Sequence, residues 1–136
     1  MQDLIIEPGH RTPAIRFSPE ECVFYIRGNS SPEDVRTMYY PVLEWLTKFI
    51  GEIQDGKLYT FSKKNPLRFQ MDLDYFNSAS AKFFFDMLKE FQKLPPIGIP
   101  VIVEWYYDQE DSDMKEAGID FSALLGMEFT FMPKPS

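Results

Sequence analysis

Leu67-Arg68-Phe69-Gln70-Met71-Asp72-Leu73-Asp74-Tyr75-Phe76-Asn77-Ser78-Ala79-Ser80-Ala81-Lys82 is the stretch that decides the fold. Its first ten residues alternate. Phe69, Met71, Leu73 and Tyr75 point one way and Arg68, Gln70, Asp72 and Asp74 the other, which is the period of a strand. At Asn77 the period changes. Asn77-Ser78-Ala79-Ser80 supplies capping residues, and Ala81, Phe84, Phe85, Leu88 and Phe91 then recur at helical spacing, with Phe83 and Met87 widening the stripe. A strand therefore runs straight into a helix through four small polar residues. If Asn77 is the N-cap, Ser78 is the first helical residue and its hydroxyl is free. If Ser78 is the cap, its oxygen accepts a backbone N–H. In both cases the hydroxyl lies at the positive end of a helix dipole.

Upstream, Ser31-Pro32-Glu33-Asp34 reads as a helix start: an N-cap hydroxyl, a proline at the first helical position and acids in the first turn. Val35, Met38, Tyr39, Val42, Leu43, Leu46, Phe49, Ile50 and Ile53 continue it for about five turns. Pro41 within this run predicts a kink. Before it, Pro13–Phe17 and Cys22–Arg27 read as two strands of a hairpin around the turn Ser18-Pro19-Glu20-Glu21. Val23 and Tyr25 are as apolar as Phe24 and Ile26, the mark of a strand covered on both faces. Residues 1–12 show no period and read as a loose arm. Between the first helix and the deciding strand, Tyr59 and Phe61 alternate with Thr60 and Ser62, so a short strand there is an option.

Downstream, residues 94–100 hold three prolines and a glycine and form a loop. Val101–Tyr107 reads as a buried strand, Asp108–Asp113 as an acidic loop, and residues 113–125 as a third helix with Met114, Ala117, Phe121, Leu124 and Leu125 inward. Gly118 weakens that helix. Glu128–Met132 is a final strand. The order β-β-α-(β)-β-α-β-α-β argues for helices packed on a mixed sheet with right-handed crossovers, an α/β (α+β) class. The 136 residues fit one domain, 1–136.

The formal net charge is −7. Nucleic-acid binding needs a basic footprint, and none is evident; anionic membrane surfaces are disfavoured by the same sign. No apolar run reaches membrane-spanning length, and Met1–Glu7 lacks the basic and apolar regions of a signal peptide. One cysteine, Cys22, permits no internal disulfide and suits a reducing compartment. The expected location is cytoplasmic.

Chemistry is sparse. His10 is the only histidine and lies in the arm, so a Ser or Cys triad would lack a held base. There is no Gly-rich phosphate loop and no dinucleotide fingerprint. One cysteine and one histidine do not make a zinc site. No cofactor is expected. Asp108, Glu110, Asp111, Asp113 and Glu116 form an acidic run in 108–116. It reads as a solvated loop complementing the third helix, as an electrostatic docking patch for a basic partner, or as a hard-cation site of a metal-dependent enzyme, although the glycine of a calcium loop is missing. A phosphoryl group on Ser78 would add about −1.5 to −2 charges, which helix N–H groups and Lys82 could receive.

Four segments carry a resemblance. They are Thr12-Pro13-Ala14-Ile15, Gly28-Asn29-Ser30-Ser31-Pro32-Glu33, Tyr75-Phe76-Asn77-Ser78-Ala79-Ser80-Ala81-Lys82, and Val103-Glu104-Trp105-Tyr106-Tyr107-Asp108 running on through Asp111, Asp113, Met114, Glu116, Ala117, Gly118 and Phe121. In this order the chain resembles the SiaC family of bacterial regulatory phosphoproteins, whose fold is similar to that of anti-sigma-factor antagonists (STAS-like). In that family the turn carries Asn-Thr-Ser-Ser and the threonine is phosphorylated. The matching residue here is Ser78, with Ala79 standing in place of a serine. The resemblance implies Ser78 as acceptor, with Ser80 as backup. It implies partner-binding residues among Asn77, Ser80, Lys82, Ser31, Glu33, Asp111 and Asp113. It also implies a non-catalytic partner switch, set by a cognate serine/threonine kinase and a phosphatase, whose dephosphorylated form activates a diguanylate cyclase.

Overall fold

The computed structural model describes residues 1–135. Six strands form one mixed sheet in sequence order: β1 (Leu4–Ile6), β2 (Ala14–Ser18), β3 (Val23–Ser30), β4 (Leu67–Phe76), β5 (Val101–Asp108) and β6 (Phe129–Lys134). β1–β2–β3 are antiparallel and β3–β4–β5–β6 are parallel. The three parallel connections carry α1 (Val35–Gln54), α2 (Ser78–Phe91) and α3 (Ser112–Leu125). A mixed α/β fold is thus what the alternation of periods foretold.

The register puts Phe24, Phe69 and Val103 side by side, and Ile26, Met71 and Trp105 beside them on the same face. Phe49 of α1 lies 5.5 Å from Phe24, Phe91 of α2 4.4 Å from Phe69, and Phe121 of α3 5.6 Å from Trp105. All three helices therefore cover one face. The other is open and carries polar side chains: Arg68 bonds Glu104, and Gln70 donates to both Glu104 and Tyr106. This corrects the reading of β3 as covered on both faces. Tyr25 is on the open side, where the Arg27 guanidinium lies 4.0 Å over its ring; the cation, not a second layer, covers the apolar ring.

Other expectations shift for local reasons. The expected loose arm contains β1, with Leu4 opposite Phe17 and Ile6 opposite Ile15; three residues are too few to show a period. Trp45 of α1 donates to the Gln2 carbonyl at 2.9 Å and holds this edge in place. No strand forms over 58–62. β3, the strand this segment lies against, already pairs with both β2 and β4, so no edge is free beside it. Tyr59 and Phe61 instead pack as rings beside Phe49 and Phe24. Ser31 does not cap α1. Asp34 does, accepting from Thr37 N at 3.2 Å and from the Thr37 hydroxyl at 2.7 Å. A carboxylate that satisfies both groups outcompetes the earlier serine. The helix runs unbroken through Pro41, which is exposed.

Gly118 has a packing reason. A Cβ there would stand 2.6 Å from Cδ1 and 2.8 Å from Cε2 of Trp105. The absent side chain lets α3 lie against the indole, whose N–H donates to the Met114 carbonyl at 2.9 Å.

Candidate functional site

The strand-to-helix turn sits at the carboxyl ends of the parallel strands. A register shift shapes it. Gly28 pairs with Leu73 but Asn29 pairs with Tyr75, so Asp74 is an extra residue bulged out of β4. Gly28, at φ 113°, has the left-handed backbone that favours glycine. Past the bulge the alternation inverts. Tyr75 is 54% exposed, while Phe76 turns inward, 5.3 Å from Phe84 and 6.1 Å from Trp105. The expectation that Tyr75 shares the inward face of Phe69, Met71 and Leu73 is corrected: one added residue flips every later side chain.

Asn77 is the N-cap, its side-chain oxygen accepting from Ser80 N at 2.8 Å. Ser78 is therefore the first helical residue. It is exposed, and its hydroxyl makes no side-chain hydrogen bond among the described residues. Asn77 N donates to the Ser30 carbonyl at 3.0 Å, fastening the turn to the end of β3.

Ser80 has the opposite environment. It is fully buried, as are Ser30 and Tyr39. Its hydroxyl donates to the Ser30 carbonyl at 3.1 Å and accepts from the Ser30 hydroxyl at 2.8 Å. With that proton committed, the Tyr39 hydroxyl, 2.5 Å from Ser30 Oγ, is the donor to it. The chain Tyr39 to Ser30 to Ser80 to backbone is closed, with each proton assigned once. Burial pushes the Tyr39 phenol up to about 12, opposed by its bond to Ser30, so the proton that the chain needs stays on. Ser80, the expected backup acceptor, is thus a locking residue: a phosphoryl group could reach it only if the turn opened. Tyr39 was hidden in the sequence because it occupies an ordinary apolar-stripe position.

The other candidates flank the turn. Ser31 donates its hydroxyl to the Asn29 side chain at 2.9 Å and its N–H to the Arg11 carbonyl; Glu33 is exposed, 3.8 Å from Arg11. Lys82, one turn beyond Ser78, is exposed and pairs with Asp86 at 3.4 Å. Asp111 and Asp113 lie on the far side, where with Tyr75 and Met114 they line a cavity of about 340 Å³. Asp111 caps α3 through Met114 N at 3.0 Å, and Asp108 accepts from Glu110 N at 2.8 Å. Both carboxylates are occupied in shaping the loop. Among the described residues no group of three or more His, Cys, Asp or Glu side chains could hold a metal ion, and no helix is long and apolar enough to cross a membrane.

An exposed serine at the first position of a helix, held at the carboxyl edge of a one-sided sheet, defines a class of small α/β protein with a displayed hydroxyl. Residues 6–134 match the profile of the SiaC family regulatory phosphoprotein, and the chain belongs to that family. An uncharacterized protein of Pseudomonas aeruginosa (strain UCBPP-PA14) is 28% identical over 121 residues, which cover 89% of this chain and 88% of that protein. The crystal structure of apo-SiaC from Pseudomonas aeruginosa superposes with a TM-score of 0.78 at 25% identity, over 97% of this chain and 99% of that one. A chain from the complex of the diguanylate cyclase SiaD with its activator SiaC, from the same organism, has the same fold, with a TM-score of 0.80 at 24% identity over 97% and 100% of the two chains.

Proposed function

We propose that this regulatory phosphoprotein is a non-catalytic partner switch whose phosphorylated residue is Ser78. The observation that carries the reading is the contrast within one turn: Ser78 is exposed at the first helical position, whereas Ser80 is buried and bonded on both sides. A kinase can reach the first hydroxyl without unfolding anything. The phosphoryl group then sits at the positive end of α2, one turn from Lys82, where the dianion is tolerated by the domain itself. Its effect falls on the partner, because docking over the turn would bury an uncompensated charge. Asn77 and Ser80 present the hydroxyl, and Ser31, Glu33, Asp111 and Asp113 border the surface around it.

The partners that fit are a cognate serine/threonine kinase, a phosphatase and an effector. The related SiaC activates a diguanylate cyclase, and we extend that effector class to this chain. The setting is cytoplasmic, where a kinase has its nucleotide. The test is binding to the diguanylate cyclase from the same cells, measured with protein phosphorylated on Ser78 and with unmodified protein. The expected result is binding by the unmodified form and a large loss on phosphorylation. Equal binding by both forms would contradict the switch.

A further inference from the structure

Helices α1 and α2 follow parallel strands and lie side by side on the covered face, with a groove between their outer surfaces. Two cavities of about 300 and 450 Å³ share Leu43 and Asp86, so the groove is continuous. At the α2 N-terminal end it has an apolar floor of Val35, Tyr40, Leu43 and Phe83. Tyr40, 56% exposed, stands edge-on to Phe83 with ring centres 5.6 Å apart. Arg36 and Lys82 stand at this end, Lys89 and Lys93 at the other. Against these four cations are two carboxylates, Asp86 and Glu90, paired to Lys82 and Lys93. Arg36 and Lys89 make no ion pair among the described residues. On a chain of formal charge −7, this groove is locally positive.

We propose that the α1–α2 groove is a docking site for an acidic amphipathic helix of a partner protein, and that phosphorylation of Ser78 weakens that docking; the second clause rests on the switch proposed above. The dimensions suit a helix. Arg36 to Thr47 spans about 17 Å at 1.5 Å per residue, or three turns of an occupant. The occupant's apolar stripe at i, i+4, i+7 meets the floor, and carboxylates on both flanks meet Arg36 and Lys89. Charge complementarity selects an acidic helix over a basic one. Ala79 lines the groove, and Ser78 lies one turn from Lys82 on α2. A phosphoryl group of about −1.5 to −2 charges there cancels the positive mouth and repels the incoming carboxylates.

The test uses ¹⁵N-labelled full-length protein and a synthetic helical peptide carrying a leucine stripe flanked by glutamates, with a control in which lysines replace the glutamates. The acidic peptide is expected to shift the amides of Arg36, Tyr40, Leu43, Ala79 and Phe83, and to bind at least about tenfold more tightly than the control. Arg36→Glu with Lys89→Glu, both surface changes, should reverse that preference while leaving the spectrum of the free protein intact. Absence of binding up to roughly millimolar peptide, equal affinity for both peptides, or shifts confined to the open sheet face would overturn the groove. Groove shifts that follow protein concentration alone would assign it to a second copy of this chain and likewise overturn the proposal. Equal binding by Ser78-phosphorylated and unmodified protein would leave the groove standing and overturn its place in the switch.

Discussion

The hydroxyl of Ser80 lies 2.8 Å from that of Ser30, fifty positions away in the chain, and neither reaches solvent. Ser80→Ala removes the acceptor for the Ser30 proton and leaves a buried donor unpaired, at a cost of about 1–3 kcal/mol. Ser30→Ala strands the Tyr39 hydroxyl in the same way. The double variant has fewer orphans than the two singles together, so its loss in urea denaturation should fall short of their sum by more than about 0.5 kcal/mol. Strict additivity would mean that the two hydroxyls act independently.

Ser78 and Asn77 should behave differently from Ser80. Ser78→Ala touches an exposed side chain and should shift stability by no more than about 0.5 kcal/mol. Asn77→Ala removes the α2 cap and should cost about 0.5–2 kcal/mol. Thermal unfolding of the three variants gives the order. A large loss for Ser78→Ala would show that its hydroxyl has a structural task.

Tyr39 makes stability depend on alkaline pH. Its folded value of about 12 is above the ordinary tyrosine value of 10.0. A raised value means that the neutral phenol is favoured in the folded state, so the contribution is complete below pH 10 and is lost as pH rises through 12. That rise corresponds to about 3 kcal/mol. Tyr39→Phe should be less stable at neutral pH, through its lost hydrogen bond, yet show a shallower decline between pH 10 and 12. Parallel declines in the two proteins would contradict this.

Gly118→Ala sets helix propensity against packing. Alanine gains about 0.8–1 kcal/mol in a helix, but its Cβ meets the buried Trp105 indole at 2.6 Å, and overpacking costs about 1–3 kcal/mol. Packing should win, lowering the melting temperature and changing Trp105 fluorescence. A stabilised variant would show that the indole moves aside at no cost.

The sequence made the main elements legible wherever a period ran long enough. Seven residues of β4 alternate cleanly, and the α1 and α2 stripes each persist for several turns. The choice between Asn77 and Ser78 as cap stayed open because both residue types suit that position, and only the folded turn decides it. Two kinds of feature were illegible. Short events leave no pattern: β1 is three residues, and the bulge at Asp74 is one, yet that one residue exposes Tyr75 and buries Phe76. Long-range polar contacts leave none either. Nothing adjacent to Ser30 or Tyr39 marks them as partners of Ser80, because the sheet and the α1 crossover bring them together. The open face of β3 looks covered in the sequence because Arg27 shields Tyr25, so an exposed face keeps an apolar residue.

The most direct test of the switch is intact mass and peptide mapping of the protein purified from its own cells, before and after phosphatase treatment. The expected result is a loss of about 80 Da, one phosphoryl group, assigned to Ser78, with Ser80 unmodified. Phosphate on Ser80, or an unchanged mass across growth conditions, would contradict the account.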